Sequence, residues 1–136
     1  MNTLDVLAVS ENLPKVLDFI NGRLALAGCE SRVMTQIDVA AEEIFVNISS
    51  YAYHPETGHM QIQVETQGNP RTAVIRFSDG GKPYDPLQRP DPKLSLPLRE
   101  RKRGGLGIYL VKQSMDTVAY EYRNGQNVLT IMKRIG

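Results

Sequence analysis

Glu43 and Asn47 are spaced four apart in a segment whose apolar residues recur every three or four positions. At 3.6 residues per turn they project from one helix face within about 40° of each other. A carboxylate there can take a proton or orient a nucleophile, and an amide oxygen can bind a hard cation such as magnesium without adding negative charge beside phosphates. Further on, Asp79 closes an apolar run and precedes Gly80 and Gly81. An ionised Asp accepts a hydrogen bond from an exocyclic amine such as that of adenine, and glycine lets a flat ligand approach the backbone. A third cluster, Arg101-Lys102-Arg103-Gly104-Gly105-Leu106-Gly107, sets bare amides at a helix start, where the macrodipole favours anions. Each cluster taken alone also has an ordinary reading: a solvated helix pair, a turn, an exposed charge run.

The elements that must position these groups follow from periodicity. A strand is expected over 3–9, then a helix capped by Ser10 or Asn12, with Pro14 in its first turn and Gly28 as its stop. A second helix is expected over 31–52, with Ile37, Ala41, Ile44 and Ile48 on its buried stripe and Ala40, Glu43 and Asn47 bordering it along a cleft. The period then changes to two: Met60, Ile62 and Val64 alternate with polar residues, Gly68-Asn69-Pro70 turns the chain, and 72–78 returns as a strand. Residues 79–103 contain five prolines and read as a long functional loop. A third helix opens at Gly104 to Gly107 and runs over 108–115, and strands over 117–123 and 126–134 join at Asn124-Gly125. Hairpins dominate, so the expected fold is α+β: a two-layer α/β sandwich whose mixed, mostly antiparallel sheet carries helices on one face.

Composition narrows the function classes. The chain has 136 residues, the size of one domain, with 41% hydrophobic and 23% charged residues and a net charge of +1. Near-zero charge disfavours direct nucleic-acid binding, and the 99–103 basic cluster lacks interleaved aromatics. No apolar run is long enough to cross a bilayer, and the start lacks an export signal, so a cytoplasmic location is expected. His54 and His59 lack a third metal ligand, Asp79 and Asp85 lack sugar-stacking aromatics for glycosidase chemistry, and the lone Cys29 has no nearby His.

The three clusters in this order resemble the N, G1 and G2 boxes of the GHKL ATPases, the Bergerat-fold superfamily of gyrase, the heat-shock chaperone and histidine kinases. The Glu43-Ile44-Phe45-Val46-Asn47 box ending in Tyr51-Ala52-Tyr53, and the Asp-Gly-Gly-Lys-Pro-Tyr-Asp-Pro form of G1 at 79–86, are most similar to the anti-sigma-factor serine-protein kinases of bacterial partner switching. The resemblance implies one ATP-binding domain over 1–136 with a lid at about 86–103. Asn47 would hold the magnesium bridging the ATP phosphates, Glu43 would be the base, Asp79 would bind the adenine amine, and Gly81 would admit the base. Gly104, Gly105, Leu106 and Gly107 would face the phosphates, with Lys102 or Arg103 closing on the γ-phosphate. The implied function is transfer of that phosphoryl group to a serine of a STAS-domain antagonist by a homodimer that can also hold a sigma factor. The alternative is a non-catalytic ATP-binding adaptor that captures a regulatory partner.

Overall fold

The structure is a computed structural model that describes residues 3–52, 57–88 and 105–136. The chain runs β1 (Thr3–Leu7), α1 (Leu13–Leu26), α2 (Ser31–Asn47), β2 (His59–Gln67), β3 (Thr72–Asp79), α3 (Gly105–Ser114), β4 (Thr117–Arg123) and β5 (Gln126–Arg134). The strands form a five-stranded sheet in the order β1-β2-β3-β5-β4, with all four pairings antiparallel. This is the expected α+β architecture, with helices packed on one face.

Alternation along the strands builds the helix-facing side. Ile62 pairs with Phe77, and Phe77 with Leu129. All three are buried in one cluster with Val16, Ile20 and Leu24 of α1 and Ile37, Ala41 and Ile44 of α2. Successive members lie three or four residues apart along each helix, which gives the apolar stripe that the sheet covers.

Local chemistry sets the element ends. Gly28, at φ +79°, lets Cys29 N–H reach the Leu24 carbonyl (3.0 Å) and its own N–H reach that of Ala25 (3.1 Å), a Schellman closure of α1. Asn124 (φ +54°) and Gly125 (φ +78°) supply the two left-handed residues that a tight β4–β5 hairpin needs. Two expectations are corrected here. Neither Ser10 nor Asn12 caps α1 through its side chain: residues Ser10–Asn12 form a short 3-10 turn, and Asn12 Nδ2 instead donates back to the Leu7 carbonyl over 2.8 Å. The second helix is not uniform over 31–52 either, because α-helical winding stops at Asn47 and widens to a π-helical turn over Ile48–Ala52. The Asn47 side chain donates into the carbonyl ladder at Glu43, the kind of insertion that loosens a helix.

In the sheet β5 lies between β3 and β4, the two strands that precede and follow α3 in the chain. That ordering sets the start of β5 beside the end of β3, with Asn127 opposite Asp79.

Candidate functional site

Asp79 is the last residue of β3 and is 3% exposed. Its Oδ1 accepts hydrogen bonds from the Gly81 amide and from Asn127 Nδ2, each 2.9 Å, leaving Oδ2 outside both. Burial pushes the Asp79 carboxyl above its ordinary range, and these two bonds pull it partly back.

Asn127 was not among the residues that the sequence singled out, yet it organises the turn after Asp79. Its Nδ2 also donates to the Lys82 carbonyl (2.9 Å), while its Oδ1 accepts from the Tyr84 amide (3.0 Å) and from the Tyr120 hydroxyl. One buried amide thereby pins the strand end, the glycine turn and a tyrosine of β4. A signal for it existed in the parity of β5: Asn127, Leu129 and Ile131 share a face, and an asparagine in a row of core residues needs a reason.

Asn47 ends α2 and is 6% exposed. Nδ2 donates to the Glu43 carbonyl over 2.8 Å, whereas Oδ1 is buried with no hydrogen-bond partner among the described residues. An orphaned acceptor of this kind costs free energy unless something fills its coordination, and an amide oxygen is a ligand suited to a hard cation. Asn47 and Asp79 line the same cavity, walled by Tyr84, Pro86, Tyr120 and Asn127. Its volume is about 20 Å³, room for about one water.

Glu43 lies one turn before Asn47 but does not share that cavity wall. It is half-buried, and its carboxylate rests against Gly107 of α3. Burial, and then the charge of Glu42, raise its carboxyl above the ordinary range. Ala40, expected along the cleft, is fully buried in the core. Gly105 begins α3 and Leu106 follows, so the amides of Gly105, Leu106 and Gly107 all fall among the four N–H groups that lack an intrahelical partner. Lys102, Arg103 and Gly104, with residues 89–103 of the expected lid, lie outside the described residues. The structure therefore brings Asn47 and Asp79 together around one hollow, ties Gly81 to Asp79 through its amide outside the hollow's lining, and sets Glu43 in contact with Gly107.

The histidine kinase-like ATPase domain family matches residues 6–133 of this chain. The chain belongs to that family. The serine/threonine-protein kinase BtrW of Bordetella bronchiseptica is 31% identical over 102 residues, covering 74% of this chain and 70% of that protein. As a histidine kinase-like ATPase domain, the chain has a fold that carries ATP-binding capacity. Among the described residues, no helix is long and apolar enough to cross a membrane.

Proposed function

We propose that this chain is an ATP-dependent protein serine kinase and regulator that phosphorylates a STAS-domain antagonist. The observation that carries the reading is the buried Asn47 Oδ1, without a partner among the described residues, in one cavity with the buried Asp79 carboxyl. Asp79 would accept the adenine amine while Gly81 leaves room for the ring. A purine is far larger than the hollow, so its entry requires the chain segment bearing Tyr84 and Pro86 to shift outward.

Asn47 Oδ1 suits magnesium, which when held there would neutralise phosphate charge. The amides opening α3 face anions through the helix dipole, with Gly104, Lys102 and Arg103 completing the phosphate surroundings. The Glu43 carboxylate takes the proton of the substrate serine as its oxygen attacks the γ-phosphorus. The bond to the β–γ bridging oxygen breaks, and ADP departs with that electron pair. The similarity to BtrW, a serine/threonine-protein kinase, supports transfer to protein rather than simple nucleotide sensing. Residues 1–136 form one ATP-binding domain in this reading, lidded at about 86–103. It acts in the cytoplasm as a homodimer, and a second surface receives a sigma factor.

The test is incubation with γ-labelled ATP, magnesium and purified STAS-domain proteins. A labelled serine on one of them is expected. Tight ATP binding with no label on any would replace the kinase by the adaptor reading, and absence of binding at millimolar ATP would remove both.

A further inference from the structure

Gly107 lies in the first turn of α3, where its backbone needs no left-handed conformation. Glycine is a poor helix former, so α3 by itself gains nothing from it there. Space explains it. A methyl group at Gly107 would stand 2.8 Å from Cδ and 3.4 Å from Cγ of Glu43, and closer still to Oε2. The obstacle is the far end of a flexible side chain on another helix. An added methyl would therefore swing the carboxylate away rather than unwind α3.

We propose that Gly107 is the positioning residue for Glu43: its bare Cα lets α3 close over the carboxylate and holds it at the helix opening that faces the phosphates. This goes beyond a phosphate-facing role for Gly107 and rests on Glu43 serving as the base. Two elements bear on the carboxyl. Glu42 acts from α2, and Gly107 makes the contact from α3. The contact with α3 covers one side of the half-buried carboxylate, whereas Glu42, itself exposed, acts on it only through its charge.

The experiment is a double-mutant cycle between positions 43 and 107, read by kinase kinetics and by titration of the Glu43 carboxyl carbon in NMR. Gly107→Ala is expected to keep the melting temperature at or above that of the parent. It should lower kcat at least tenfold with KM for ATP within twofold, and move the Glu43 titration toward the ordinary range. Glu43→Asp, one methylene shorter, leaves room for the methyl, so Gly107→Ala should cost less than threefold in that background. An unchanged Glu43 titration in Gly107→Ala would overturn the proposal. So would a lower melting temperature for Gly107→Ala in a Glu43→Ala background, because the backbone rather than the carboxylate would then require glycine. If Glu43→Ala retains full transfer, the base assignment fails by itself, and the titration still decides whether Gly107 places the side chain.

Discussion

Asn127 Nδ2 donates to Asp79 Oδ1 over 2.9 Å, joining residues 48 positions apart on adjacent strands. The bond fixes which carboxylate oxygen is committed to the protein. Asn127→Ala removes it together with the bonds to Lys82 and Tyr84. Buried hydrogen bonds to a charged group are worth about 1.5–3 kcal/mol, so a loss of about 2 kcal/mol or more is expected from the shift in urea midpoint. ATP affinity measured by calorimetry should fall with it.

Asp79→Asn tests the adenine contact. An amide can present its own N–H groups to the exocyclic amine, and a mispaired polar contact of this kind costs about 1–3 kcal/mol. ATP binding should weaken by roughly tenfold or more, while GTP, which lacks that amine, should be affected less.

The same residue sets a pH dependence. Folding raises the Asp79 carboxyl above its ordinary 3.8, so the folded chain holds the proton more tightly than the unfolded chain does. This contribution to stability is fully present below 3.8 and is lost as pH rises through the folded value. Relative to Asp79→Asn, the parent should lose melting temperature over that window. ATP affinity should change in the opposite direction, improving as Asp79 ionises. A thermal-shift series with and without nucleotide reads both trends.

Asn47→Ala removes the orphaned oxygen. Magnesium should then add little to ATP affinity, so titrations with magnesium and with a chelator converge, whereas the parent separates them by about tenfold, or about 1.4 kcal/mol.

Glu43→Ala should abolish phosphoryl transfer, a drop of at least 10²-fold by the usual scale of general-base catalysis. Nucleotide binding should be largely retained. Filter-bound label on the protein substrate measures the first and calorimetry the second.

Sequence periodicity was enough to order the elements, because each carries its own signal. Val16, Ile20 and Leu24 mark a helix, Met60, Ile62 and Val64 mark a strand, and Asn124-Gly125 marks a hairpin. What escaped it depended on neighbours distant in the chain. Asn12 does stand at the start of α1, but its backbone is already helical and its Nδ2 is turned to the Leu7 carbonyl, so its side chain makes no cap bond. The helix over 31–52 looked continuous because the apolar stripe persists through Ile48, whereas the change in winding arises from where the Asn47 amide inserts. Glu43 and Asn47 do share a helix face, yet the first lies against Gly107 of α3 and the second lines the cavity. Asn127 matters through its register with Asp79, which no local pattern encodes.

The placement of β5 between β3 and β4 has a consequence for biosynthesis. The strand that completes the middle of the sheet is the last of the five to emerge from the ribosome. Until it does, β3 remains a bare rim and Asp79 lacks its anchor. A nascent chain stalled after β4 would thus carry Asp79 and its glycine turn yet lack the Asn127 amide that pins them, so the candidate site takes shape only once the last of the five strands has been made.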